Sequence, residues 1–145
     1  MNDWLYSPDW TENDLLDGGS VGFVYMFQFE DGTFYLGVKQ IWKGVRDSTK
    51  LKGIEKENGW RDYRSSSKKV QKMIDSGMNY TRTILWGFET MTEANYVESF
   101  LILTRSLDEN ILNMAMMSKC RIPNNAQKRK LKGIIRTIEE WLGNM

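Results

Sequence analysis

The stretch "FVYMFQFEDGTFYLG", residues 23–37, decides how the fold is read. Two runs rich in aromatic and β-branched residues flank an Asp-Gly pair, the sequence signature of a β-hairpin. Side chains alternate between faces along a strand, so Tyr25 shares a face with Phe23 and Phe27. The loop length then decides where Tyr35 goes. A two-residue Asp31-Gly32 turn pairs Gln28 with Tyr35 and sends the two tyrosines to opposite faces. An odd loop, three residues with Gly32 in the left-handed conformation, puts both phenols on one side. Periodicity leaves two readings open: tyrosines as strand packing, or two phenols facing one cleft.

Working outward, the chain reads as β-β-α-β-α-(β)-α. After the hairpin, residues 39–58 carry glycines and many charges with little periodicity and read as a long basic loop with room for one helical turn. "SSSKKVQKMIDSG" is a helix capped by Ser65 or Ser66, with Val70, Met73 and Ile74 as its apolar stripe and Gly77 as its stop. "YTRTILWGF" is a strand. "TMTEANYVESFLILTRSL" is a second helix, with Thr90 and Glu93 spaced for a capping box. "NILNMAM" is a short strand or extended connection. The last helix, capped by Asn125, has Leu131, Ile134, Ile135, Ile138, Trp141 and Leu142 on one face. The expected architecture is α/β: a small, about three-stranded, mainly antiparallel sheet flanked by helices, with an extra C-terminal amphipathic helix. The expected division is an acidic N-terminal arm over 1–20, a core over 21–116 and a helical extension over 117–145.

Composition removes several function classes. With no histidine, a Ser-His-Asp triad, a Cys-His pair and His-based metal sites are excluded. Acid–base chemistry falls to Asp, Glu, Lys, Tyr or Cys. The single cysteine, Cys120, forms no internal disulfide and no zinc site, and no signal peptide or membrane-spanning run is evident. The expected location is a cytoplasm. The net charge of +1 conceals an uneven spread. The first twenty residues hold Asp3, Asp9, Glu12, Asp14 and Asp17 without a Lys or Arg, whereas Lys and Arg dominate residues 39–72. Such a basic stretch is the footprint of a phosphate-binding surface, or simply a solvated face. An acidic arm lying across it would screen it; the plainer reading is that Trp4 and Trp10 cover a sheet edge.

Two further features carry possible chemistry. Glu98 falls on one helical face with Ala94, Val97 and Leu101, and a carboxylate there is costly unless it is paired, binds a metal or reaches solvent. "GWRDYRSSSKK", residues 59–69, places arginines, Tyr63 and three serines before a helix N-terminus, an arrangement suited to phosphate but also to an ordinary serine cap.

Taken in order, these pieces resemble the GIY-YIG endonuclease superfamily, nearest its phage-encoded, stand-alone Seg-like or homing-endonuclease branch. "FVY" ending at Tyr25 stands for the first motif and "YLG" from Tyr35 for the second. "YLGVKQIW" supplies Lys39 and Trp42. "WRDYRSSSK" matches at Trp60, Tyr63, Ser66, Ser67 and Lys68. Glu98 lies in "EANYVESFLI", and Leu112-Asn113 closes the pattern. Phe23 stands where the first motif has glycine, Ser65 replaces the glycine of the serine block, and the usual helix arginine has no clean match among Arg46, Arg61 and Arg64. The resemblance implies a DNA endonuclease in the host bacterial cytoplasm that uses one Mg²⁺ or Mn²⁺ ion held by Glu98. It implies Tyr25 as the base that activates water and Tyr35 and Tyr63 as orienting groups. Lys39 or an arginine would lower the phenol pKa, and Asn113 would hold the Glu helix or the phosphate. Trp42, Lys43, Arg46, Arg61, Arg64, Ser66, Ser67 and Lys68 are the implied DNA and phosphate contacts. A protein partner for specificity and the oligomeric state stay open. The altered motifs keep a second expectation alive: a catalytically silent relative that binds nucleic acid or a protein as a phage accessory or inhibitor.

Overall fold

The computed structural model describes residues 2–114 and 122–143; Cys120 and the expected boundary at 116/117 lie outside them. Four strands, β1 (Trp4–Tyr6), β2 (Gly22–Phe29), β3 (Phe34–Gln40) and β4 (Tyr80–Phe88), form one sheet in the order β1-β4-β2-β3. Four helices accompany it: α1 (Glu12–Asp17), α2 (Lys68–Asp75), α3 (Met91–Thr104) and α4 (Asn125–Gly143). The sheet therefore has one strand more than the sequence reading expects. The fourth comes from the N-terminal arm, where Trp4–Tyr6 pairs in parallel with Arg82–Ile84. The arm's aromatic residues drive this: Trp4 packs edge-on against Phe23, Tyr25 and Phe27 and donates its indole N–H to the Trp60 carbonyl at 2.9 Å.

The hairpin settles the loop question. Phe29 N–H bonds Thr33 O at 2.9 Å and Gly32 N–H bonds Phe29 O at 3.0 Å, enclosing three loop residues with Gly32 at φ +89°. The odd loop pairs Tyr25 with Gly37 and Phe27 with Tyr35, so both tyrosines stand on one face.

Two apolar layers follow from strand alternation. On one face Val24, Met26, Leu36 and Leu85 meet Ala94, Val97 and Leu101 of α3 and Leu131, Ile134 and Ile138 of α4. On the other, Phe23, Tyr25, Phe27 and Ile84 pack with Leu15, Trp60 and Val70. A one-residue irregularity between β2 and β4, where Val24 faces Trp86 and Tyr25 faces Ile84, leaves Leu85 as the extra residue. The basic loop contains one 3-10 turn, Ser48–Lys50.

Cap positions differ from expectation by one or two residues. α2 is capped by Ser67, whose Oγ accepts from Val70 N–H at 3.3 Å, because Ser65 and Ser66 belong to the preceding turn. Asn124, rather than Asn125, accepts from Gln127 N–H at 2.9 Å at the start of α4. Thr90 caps α3 through Glu93 N–H at 3.1 Å. No described helix is long and apolar enough to cross a membrane.

Candidate active site

The site grows from the shared face of β2 and β3. Tyr25, Tyr35 and Lys39 project from it, with Gly37 between the last two. Gly37 lies directly opposite Tyr25, and a Cβ there would collide with the Tyr25 Cζ and Oη. The missing side chain lets the Tyr25 ring lie across the β3 backbone. Its ring centroid is then 6.4 Å from that of Tyr35 and 5.8 Å from that of Tyr63. Lys39 Nζ sits 4.9 Å from the Tyr63 ring centre, a cation–π contact with a phenol of the cluster.

The turn before α2 closes the cluster. Ser65 has φ +73°, the only non-glycine positive φ among the described residues. It is buried, its Oγ accepts the Tyr25 hydroxyl at 3.4 Å and also accepts Ser67 N–H at 3.1 Å. Its carbonyl accepts from Gln71 at 2.7 Å. The backbone here asks for glycine, and the serine holds the strained position through three polar contacts. Ser65→Gly should raise stability by about 0.5–1 kcal/mol if backbone relief outweighs the lost Oγ contacts. Urea denaturation measures this, and a loss of stability would show that the Oγ contacts outweigh the strain.

Arg82 holds the same turn from below. Arg82 is 4% exposed, and its guanidinium donates to the carbonyls of Asn2, Tyr63 and Arg61 at 2.7, 2.9 and 2.7 Å and stacks on Trp4. It ties the N-terminal strand to the segment that presents Tyr63. The sequence reading missed Arg82; the available signal was strand alternation, which puts it on the inward face with Ile84.

Glu98 is 6% exposed, and its Oε1 has no hydrogen-bond partner among the described residues. Burial raises its carboxyl to about 7. Its charge adds a smaller upward push to the Tyr35 phenol, so the carboxylate lies within electrostatic reach of that tyrosine. Burial is the main cause of the Tyr35 shift, and hydrogen bonding with Ser65 and Ser66 offsets part of it. Tyr25 is driven well above the ordinary phenol range by burial, with a further push from Tyr63 and partial relief from Ser65. Lys39 is lowered by burial.

The other candidates sit elsewhere. Arg61 is bound to Glu57 and Glu12, each at 2.8 Å, and Arg64 is paired with Asp75. Arg46 is exposed near Gln40. Arg61 and Arg64 are thus engaged by carboxylates, whereas Lys39 lies over the ring of Tyr63, which packs edge-on against Tyr25. Asn113 differs as well. Its amide takes Leu36 N–H at 2.9 Å and gives to Leu36 O at 2.7 Å. It thus substitutes for a neighbouring strand at the β3 edge, between Tyr35 and Gly37, rather than holding the Glu helix or a phosphate. Trp42 spends its indole N–H on Ser20 O at 3.2 Å and packs against both apolar layers. Ser66, Lys43 and Lys68 are exposed, and Ser67 serves as the α2 cap.

Among the described residues no group of three or more His, Cys, Asp or Glu could cage a metal. A single buried carboxylate with an orphaned oxygen nevertheless fits an ion that keeps most of its water, as Mg²⁺ does. The hairpin, the serine turn and the carboxylate-bearing helix are together those of a GIY-YIG nuclease domain. The family model described as "Putative endonuclease segE, GIY-YIG domain" matches residues 4–120, and the chain belongs to that family. Intron-associated endonuclease 2 of Enterobacteria phage T4 is 35% identical over 99 residues, covering 67% of this chain and 34% of the phage protein. The chain thus matches about a third of that relative's length. No solved structure matches significantly.

Proposed function

We propose that the chain is a metal-dependent DNA endonuclease that hydrolyses phosphodiester bonds with Tyr25, Tyr35, Tyr63, Lys39 and Glu98. The observation that carries this reading is the buried, unpartnered Glu98 oxygen, on a carboxylate within electrostatic reach of Tyr35. A carboxylate oxygen held out of water without a partner is a destabilising feature, and a bound metal ion would relieve it.

In this reading Glu98 holds one Mg²⁺ or Mn²⁺ ion. The bound ion would polarise the scissile phosphate and stabilise the leaving oxygen. Gly37 and Ser65 fix the Tyr25 ring, whose hydroxyl is the proposed acceptor of the water proton. Burial works against a phenolate, so Tyr25 can serve as base only when positive charge enters the cleft. Lys39, over the Tyr63 ring, is the proposed cation, and it would also stabilise the charge that develops on phosphorus. Tyr35 and Tyr63 orient water or phosphate, and DNA is drawn to the basic stretch over residues 39–72.

Tyr25→Phe should cut plasmid more slowly by about two orders of magnitude or more. Lys39→Gln should slow it and move the pH dependence to higher pH. An unchanged rate for Tyr25→Phe removes it as the base. A second reading, a silent relative that binds nucleic acid or a protein, is favoured by one observation: Arg61 and Arg64 are engaged by carboxylates. It predicts DNA binding without any cleavage in Mg²⁺ or Mn²⁺.

A further inference from the structure

On the side of α3 away from Glu98, α3 and α4 form a groove of about 470 Å³ with a mainly apolar lining. Tyr96 and Phe100, one turn apart on α3, stand in it half-buried. Lys128, Lys132 and Arg136 line it from α4. They recur every fourth residue, so they form one row with about 6 Å between successive residues along the axis. All three are exposed, and none joins an ion pair among the described residues. The neighbouring cations behave differently: Lys130 bonds the buried Glu93 at 3.1 Å, and Arg105 pairs with Glu139. Lys130 of α4 and Arg105 at the end of α3 thus fasten α4 to the domain through ion pairs, while Lys128, Lys132 and Arg136 are left for something else.

We propose that this groove is a second nucleic-acid contact that takes a single strand, its backbone along Lys128, Lys132 and Arg136 and its bases against Tyr96 and Phe100. Cations that follow a backbone beside aromatic rings that accept bases are the two elements of sequence-tolerant single-strand binding. The apolar floor, Ile135 included, favours a base over a solvated phosphate. Duplex DNA keeps its bases stacked and cannot insert them between the helices. Tyr96 and Phe100 lie on a different side of α3 from Glu98, so the groove is separate from the tyrosine cleft. It extends the endonuclease reading by giving a strand unpaired near the cut a place to be held, but its own chemistry does not require cutting.

The test uses the full chain carrying Glu98→Gln and a fluorescein-labelled 15-nucleotide oligo(dT), read by anisotropy across a salt series. Lys128→Gln/Lys132→Gln/Arg136→Gln should weaken binding about tenfold or more at low salt. It should also reduce the slope of log K against log salt by about 2, the counterion release expected of three single-strand phosphate contacts. Tyr96→Leu/Phe100→Leu should weaken binding and leave the slope unchanged, a split that general charge loss does not produce. Matching melting curves establish that each variant is folded. Unchanged oligo(dT) affinity in both variants overturns the proposal. So does an equal loss for a 15-base-pair duplex, which marks a non-specific basic face, or tighter binding of an acidic amphipathic peptide than of oligo(dT), which marks a protein-docking groove. Plasmid cleavage by groove variants with Glu98 intact keeps the two readings separable. Cutting with no groove effect sinks the groove alone; a groove effect without cutting sinks the nuclease reading alone.

Discussion

Glu98→Gln should make the protein more stable at pH 8 and inactive. The carboxyl titrates at about 7 in the folded chain, above the ordinary value of 4.5, because burial penalises its charged form. Below about pH 4.5 the group is neutral in both folded and unfolded states, and the substitution gains nothing from charge. Between there and pH 7 the unfolded chain ionises first, so wild-type stability falls as pH rises. Above 7 the folded protein carries the full cost, at most on the order of 3 kcal/mol for a shift of this size. Glutamine removes the charge and keeps the shape. Its amide is left short of partners, so the net gain at pH 8 should be about 1–3 kcal/mol, shrinking toward zero at pH 5. Melting curves at the two pH values measure it. Mg²⁺ should raise the wild-type melting temperature at pH 8 and leave the variant unmoved, since only a ligand of the folded state stabilises it. A variant less stable than wild type at pH 8 would mean that Glu98 has a partner in solution.

Gly37→Ala should damage both stability and activity. The new methyl group falls on the Tyr25 ring, which is walled in by Phe23, Phe27 and Trp4 and cannot swing aside. Overpacking of this kind costs about 1–3 kcal/mol. Displacing the Tyr25 hydroxyl should lower cleavage to the level of Tyr25→Phe or below, since small misplacements at a reacting group are expensive. The cause is tested by a second substitution. In a Tyr25→Leu background the added methyl should cost little, because the atoms it strikes are gone. A full additive penalty there would show that the harm comes from the β3 backbone and not from the ring.

Much of this was legible in the chain, and what was not has physical causes. Alternation and the Asp-Gly pair gave the hairpin, but only the bonds around Gly32 choose the odd loop, and that choice brings Tyr25 and Tyr35 together. Ala94, Val97 and Leu101 marked the buried face of α3 and left Glu98 on it. The N-terminal strand was hidden because three residues are too few to show a period, and its acidic flanks read as an arm. Arg61 and Arg64 read as phosphate contacts because sequence shows charge without showing its partners, and Glu12 and Glu57 meet Arg61 through folding. Asn113 and Arg82 act on main-chain atoms, and no side-chain pattern announces such partners. Ser65 stood out as a departure from the family glycine, and its φ of +73° shows what that glycine is for.

The central claim is that Glu98 and the tyrosines form a working nuclease site. Supercoiled plasmid incubated with the wild-type chain in Mg²⁺, beside Glu98→Gln, tests it most directly. Wild type should give nicked or linear DNA, none when the ion is chelated, and Glu98→Gln should give none, while both proteins bind the plasmid equally. Cleavage by Glu98→Gln at the wild-type rate, or binding without cleavage by wild type, would contradict it.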